Sequence, residues 1–268
     1  MEPGSLFAIS DLHVSYPENR EFVEGLRPAS AADWLIVAGD VGEKVADVEW
    51  TLGRLRERYA KVLWAPGNHE LWTHKSDPVT LRGEERYRLL VERCRALDVL
   101  TPEDPYPVWQ GTAVAPLFLL YDYTFRPAGV DQATALADAY RAGVVCRDEM
   151  LLHPDPYPSR EAWCRARVAQ TEERLAAVDL PTVLVNHFPL VEDPTRILRY
   201  PVFAQWCGTR LTADWPVRFR AKAVVYGHLH IPRTTTHDGV PHHEVSVGYP
   251  REWRRRGGPR GPVRVLPA

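Results

Sequence analysis

Residues 6–13 read LFAISDLH: a short apolar run closes on a serine, and an aspartate and a histidine follow with one leucine between them. Continuously apolar runs of this length are what strands buried on both faces present. The pattern recurs along the chain. Strand-like runs stand at Leu6–Ser10, Trp34–Ala38, Lys61–Ala65, Ala113–Leu120, Thr182–Asn186, Ala223–Tyr226 and Glu244–Val247. Between them lie helical repeats. Val45, Val48, Leu52, Leu55 and Tyr59 recur every three or four residues, as do Tyr87, Leu90, Val91, Cys94 and Leu97, and a third helix is expected over about 161–178. Strands alternating with helices argue for an α/β sheet with helices packed on it. No internal repeat or long flexible linker appears, so a single domain over 1–268 is expected. It would carry a weakly periodic excursion at about 121–160 and a basic C-terminal tail at 251–268.

The composition is that of an ordinary globular protein, with 45% hydrophobic and 25% charged residues over 268 positions and a net charge of −2. Disorder is thereby excluded, as is a wholly basic nucleic-acid binder. Charge is nonetheless uneven. Six arginines after residue 250 face one acid, Glu252, which makes that segment +5 and the remainder −7. The first apolar run is too short for a signal peptide, and no run approaches the roughly 18 apolar residues of a membrane span. A cytoplasmic protein without membrane contact is expected. Cys94, Cys146, Cys164 and Cys207 are widely spaced and form no CxxC, which argues against a zinc knuckle or redox pair.

The polar residues after the strands carry the chemistry. Asp11-Leu12-His13 follows the first strand, Gly39-Asp40-Val41-Gly42-Glu43 the second, and Pro66-Gly67-Asn68-His69-Glu70 the third. Asn186-His187-Phe188-Pro189 and Gly227-His228-Leu229-His230 follow later ones. In an open α/β sheet, ligands bind at the C-terminal ends of the strands. Carboxylate and amide oxygens mixed with imidazoles suit first-row ions such as Mn, Fe or Zn. There are enough donors for two ions, which a shared carboxylate would hold ~3.5–4 Å apart. The glycines before Asp40, Asn68 and His228 permit a positive φ or a close backbone approach.

The series DxH, GDxxE, GNHE, NHxP and GHxH resembles the motifs of the calcineurin-like metallophosphoesterases. The resemblance implies a four-layer α/β/β/α sandwich and hydrolysis of phosphomonoesters or phosphodiesters. It implies further that Asp11, His13 and His230 bind one metal, that Asn68, His187 and His228 bind the other, and that Asp40 bridges them. His69 would contact a phosphoryl oxygen or protonate the leaving group, or else serve Asp40 as a hydrogen-bond partner. Glu43 and Glu70 are expected to support the site or to sit at helix N-termini rather than to bind metal.

Longer stretches, among them DWLIVAGDV (33–41), APGNHELW (65–72), WCGTRLTADW (206–215) and EVSVGYPREWRRR (244–256), resemble the actinobacterial phosphopantetheinyl hydrolases within that family. Their substrate is holo acyl carrier protein, whose phosphodiester to 4′-phosphopantetheine is cut at the carrier serine. On this reading Arg251, Arg254, Arg255 and Arg256 would meet the acidic carrier. Tyr121, Tyr123, Trp163, Trp206 and Trp215 would line a groove for the arm. The alternative is a phosphodiesterase for cyclic nucleotides or other small diesters. A nuclease is not expected, because outside its C-terminal segment the chain is acidic.

Overall fold

The computed structural model describes residues 4–267; positions 1–3 and 268 of the expected domain lie outside the described residues. The apolar runs form two sheets. In the first, β1 (Leu6–Ile9), β2 (Trp34–Val37) and β3 (Lys61–Trp64) are parallel neighbours, with Leu6 beside Trp34 and Trp34 beside Lys61. In the second, β4 (Val108–Trp109), β5 (Thr112–Pro116), β6 (Thr182–Val185) and β7 (Ala221–Tyr226) follow in order. Beyond β7 comes the hairpin of β8 (Arg233–His237) and β9 (Val240–Glu244), with β9 parallel to β7 and β8 at the edge.

The unbroken apolar runs are explained by the two sheets facing each other. Successive side chains of a strand point to opposite faces. Ile36, Ala38 and Leu63 of the first sheet meet Val183, Val185 and Val225 of the second in one inter-sheet cluster. The alternate residues Leu35, Val37, Trp64, Leu184 and Val224 point outward into a cluster shared with the helices. Both faces are therefore apolar, and helices cover both sides.

α1 (Pro17–Gly25) and α2 (Val45–Arg56) follow β1 and β2, and α2 buries its predicted stripe of Val45, Val48, Leu52 and Leu55. The single-turn α3 (Asn68–Leu71) and the longer α4 (Gly83–Ala96) follow β3, and α4 buries Tyr87, Leu90, Val91 and Cys94. The third expected helix comes after α5 (Gln132–Arg141) and α6 (Asp148–Leu151), as α7 (Arg160–Ala176). Ser159 caps it by accepting the amide of Ala162. α8 (Trp215–Arg218) packs beside β7 and α9 (Pro250–Trp253) follows β9. The architecture is the expected pair of sheets flanked by helices.

Four sequence expectations need correction. The excursion at 121–160 is not a bare loop, since it holds α5 and α6, whose short apolar stripes do not stand out among the prolines and charges around them. The segment after 250 is not a free tail. It forms α9, a 3₁₀ turn at Arg254–Arg256 and β10 (Val263–Leu266), which pairs antiparallel with β1. Arg254 is bound to Glu18, and Arg256 donates to the carbonyls of His230 at 3.1 Å and Val247 at 3.0 Å. The aromatic groove also fails: Tyr121, Tyr123, Trp163, Trp206 and Trp215 are at most 2% exposed and pack in the core. Finally, the last predicted strand lies earlier, at Val240–Glu244; beyond it the amide of Val245 donates to the carbonyl of Tyr226 at 3.0 Å and Ser246 bridges to Ser10. That bridge joins the C-terminal end of β1 to the second sheet.

Candidate active site

The seven predicted ligands and His69 come together where the strand ends of the two sheets meet. The first sheet supplies Asp11 and His13 beyond β1, Asp40 beyond β2, and Asn68 and His69 at the start of α3. The second supplies His187 beyond β6, and His228 and His230 beyond β7. Asp11, His13 and His230 have one donor atom each within 4.8 Å of one another, and so do Asp40, His187 and His228. Asp40 links the two sets, because its Oδ2 lies 3.4 Å from His187 Nε2 and 3.9 Å from His13 Nε2.

Five of these side chains leave the chain where φ is positive: Asp11, His13, Asp40, His228 and His230. A residue with a Cβ is disfavoured there by about 1–2 kcal/mol. Strain of this kind persists only where the surroundings impose it, and it gathers at functional sites. The glycines do what their positions suggested. Gly39 has a φ of 85°, while a Cβ on Gly67 would lie 2.1 Å from Asp40 Oδ1 and one on Gly227 2.2 Å from Asp11 Oδ2.

Neighbours orient three of the imidazoles, those of His187, His230 and His69. His187 Nδ1 donates to the carbonyl of Ala38 at 2.9 Å, and His230 Nδ1 to Glu252 Oε2 at 2.7 Å. Both Nε2 atoms are thereby left facing inward. Asp11 Oδ2 accepts hydroxyls from Ser10 at 2.5 Å and Ser246 at 2.8 Å. Glu70 accepts the amides of Asp40, Val41 and Gly67 at 2.9–3.0 Å and so ties the turn after β2 to the turn after β3. Glu43 Oε1 lies 3.0 Å from His69 Nδ1. His69 donates its backbone amide to Asp40 Oδ1 at 3.0 Å and stacks on Trp72 at 3.7 Å between ring centroids.

The donor set fits a pair of cations. Asn68 Oδ1, His187 Nε2 and His228 Nε2 are buried with no hydrogen-bond partner, and such polar atoms are rare without a reason. The titration behaviour makes the same demand for positive charge. Burial opposes the charge on Asp11, yet the imidazole of His230 holds its carboxyl well below the usual range. Asp40 is likewise lowered against its burial, chiefly by His187 and His69. Burial also opposes the charge on His187, but Asp40 pushes it up to about 10, and Asp11 likewise raises His230 well above its ordinary value. Burial pushes His13 and His228 down to about 3, with neighbouring imidazoles adding to it. Thus one imidazole in each set is held cationic beside its carboxylate, the charge a metal ion would otherwise bring.

A cleft of about 600 Å³ opens over Asp40, Asn68, His228 and His230. One wall is apolar, made by Val145, Leu198, Tyr200, Phe203, Leu229 and Ile231. These residues, not the predicted aromatics, line the groove. Sequence reasoning also missed Asp148 and Tyr249. Asp148, fully buried in the excursion, accepts Asn68 Nδ2 at 2.9 Å and Trp72 Nε1 at 2.6 Å. The Asn68 amide group is thereby fixed in orientation, with Nδ2 committed to Asp148 and Oδ1 left without a hydrogen-bond partner. Tyr249 stacks on His13 at 4.4 Å. Nothing local distinguishes Asp148 from other acids of its segment, whereas Tyr249 sits just past a strand-like run, where the other site residues were found.

The family model for calcineurin-like phosphoesterases matches residues 5–232. The chain belongs to this family. Family membership carries with it a two-metal site of the kind these donors form. Among relatives, the chain is 55% identical over 259 residues to the Mycobacterium tuberculosis protein named [Acyl-carrier-protein] phosphodiesterase PptH, covering 94% of this chain and 80% of that one. The crystal structure of phosphopantetheinyl hydrolase PptH from the same organism superposes with a TM-score of 0.97 at 53% identity, covering 99% of this chain and 97% of the other. The crystal structure of TT1561 from Thermus thermophilus shares the fold alone, at 14% identity and a TM-score of 0.50 over 92% and 89% of the two chains.

Proposed function

We propose that this chain is a metal-dependent phosphodiesterase that removes 4′-phosphopantetheine from the serine of holo acyl carrier protein. The convergence of seven donors from both sheets, three of them buried with orphaned atoms, carries the hydrolytic part of the reading. The 55% identity to PptH supports the carrier substrate. The whole chain is read as one catalytic domain, because neither sheet holds a complete donor set.

Asp11, His13 and His230 would hold one ion, Asn68, His187 and His228 the other, and Asp40 would face both. The mixture of imidazole, carboxylate and amide donors favours Mn²⁺ and Fe, with Zn²⁺ also accommodated. When bound, such ions supply Lewis acidity toward phosphoryl oxygens and acidify water. The chain's own residues do the rest. His69 holds its Nδ1 on Glu43, which leaves Nε2 to deliver a proton to the departing serine oxygen. Its raised pKa, set by Asp40 and Glu43 against its burial, keeps that proton available near neutrality. Val145, Leu198, Tyr200 and Phe203 offer the pantetheine arm an apolar surface and keep water from that side. No helix among the described residues is long and apolar enough to cross a membrane, and a cytoplasmic setting accords with four buried cysteines in no disulfide.

The test is to incubate metal-loaded protein with holo acyl carrier protein and to read the carrier's intact mass. The wild type should remove one phosphopantetheine arm, and Asp40→Asn and His69→Ala should each slow removal at least ~10²-fold. An unchanged carrier mass beside rapid cleavage of bis-p-nitrophenyl phosphate would discard the carrier substrate in favour of small diesters.

A further inference from the structure

The mouth of the cleft carries charge that the chemistry of its floor does not use. Arg147, Arg199 and Arg251 all line it, and they come from segments far apart in the chain: the turn before α6, the connection after β6, and the first turn of α9. All three are exposed, and among the described residues none has an ion pair or a side-chain hydrogen bond. Most other arginines are already committed; Arg165, Arg233, Arg255, Arg260 and Arg264 also lack a partner among the described residues, but none of them lines the cleft. Arg86 is bound to Asp77, Arg56 to Asp98, Arg210 to Glu192 and Arg160 to Glu149. Nor do the carboxylates of the cleft neutralise the three, since Asp148 is buried against Asn68 and Trp72, and Glu252 is held by His230 and the amide of Tyr249. Arg199 lies 5.4 Å over the ring of Tyr200 and Arg251 5.2 Å over that of Tyr249, which orients both guanidinium groups while leaving their N–H donors free.

Which anion meets this rim follows from where the scissile bond must lie, and here the inference rests on the reading given above. The arm beyond its phosphate is uncharged and suits the apolar wall. The phosphate itself belongs at the floor, among the seven donors. Bringing it there draws the carrier's surface around the modified serine up to the mouth. We infer that Arg147, Arg199 and Arg251 form a docking rim for acidic side chains flanking that serine. Arg255 and Arg260 lie outside the cleft lining and outside the rim, although both belong to the basic C-terminal segment. Rim charges of this kind act through complementarity, steering encounter and imposing a salt dependence.

The experiment measures binding rather than turnover, so that its failure is separable from failure of the proposed reaction. Fluorescently labelled apo acyl carrier protein, which has no arm to cleave, is titrated with metal-loaded enzyme between about 50 and 300 mM NaCl. The wild type should bind saturably and more weakly as salt rises. Arg147→Glu/Arg199→Glu should raise Kd at least about tenfold and remove most of the salt dependence, whereas Arg255→Glu/Arg260→Glu, with the same change in net charge, should stay within about twofold. A carrier variant with lysines in place of the acids beside the serine should recover affinity for the rim variant. No saturable binding by the wild type, or equal weakening by the two double variants, would overturn the inference whatever the mass assay shows. Loss of the arm in that assay, or its retention, decides the reaction independently.

Discussion

The floor and the mouth of the cleft are built on different principles. At the floor, each proposed ligand lies just past a strand or in the single turn of α3, five have strained backbones, and Asp11, His187 and His230 are fixed by hydrogen-bonding neighbours. At the mouth, Val145, Arg147, Arg199 and Tyr200 stand exposed on connections between helices, and the arginines have no partners of their own. Chemistry that needs donors placed to within a few tenths of an ångström is set on a rigid scaffold. Recognition of a large partner tolerates adjustment, and loops serve it.

Asp148 is where the two regions touch, since it stands in the excursion beside the mouth yet orients Asn68, a proposed ligand of the floor. Asp148→Ala frees the Asn68 amide to turn and should weaken binding of the second ion about 10–100-fold, the usual cost of losing a residue that orients a ligand. Metal content after dialysis checks this without reference to turnover. Full retention of both ions would move Asp148 from the floor to the mouth.

A second, smaller effect separates the floor's own electrostatics from the metal's. Without metal, His187 titrates at about 10 instead of 6.5, because burial, which alone would lower it, is outweighed by Asp40. A raised pKa stabilises the fold fully below the unfolded value of 6.5, and that contribution drains away as pH climbs toward 10. As a ligand in the metal-loaded protein His187 would be the neutral imidazole, so the same loss would be absent. Chelated protein should therefore fall behind loaded protein in Tm between about pH 6 and pH 9.5, and the gap should widen by at least ~3 °C, which corresponds to ~1 kcal/mol in a domain of this size. Thermal melts across that range with and without chelator give the answer, and a constant gap would remove the His187–Asp40 pair from the account.

The smallest effect belongs to the mouth. Tyr200 is 50% exposed, so Tyr200→Ala should leave Tm nearly unchanged while raising KM for holo carrier by about fivefold or less, ~1 kcal/mol of contact. Steady-state kinetics on the carrier would show it. A fall in kcat instead would mean that the wall shapes the floor.

What could be read from the chain alone follows the same division. Strands buried on both faces declare themselves as apolar runs, and the residues just beyond them stay close to the strand ends whatever the rest of the chain does. Asp11, His13, Asp40, Asn68, His187, His228 and His230 were for that reason visible as one set, whereas the apolar runs by themselves implied only an α/β sheet, and the second sheet was expected from the resemblance those motifs carry. Contacts between segments far apart in sequence left no such mark. β10 has only Val263, Val265 and Leu266 as its apolar signal and is a strand because β1 offers it an edge. Asp148 meets Asn68 across 80 positions. Trp163 and Phe203 are both aromatic, yet packing buries one against Phe118 and turns the other to the cleft. Local pattern determined which residues could do chemistry and at which strand ends they stand. Only the tertiary structure decided which way each donor faces, which aromatics meet the substrate and which arginines remain free, because those depend on burial and partners that the folded chain alone brings together.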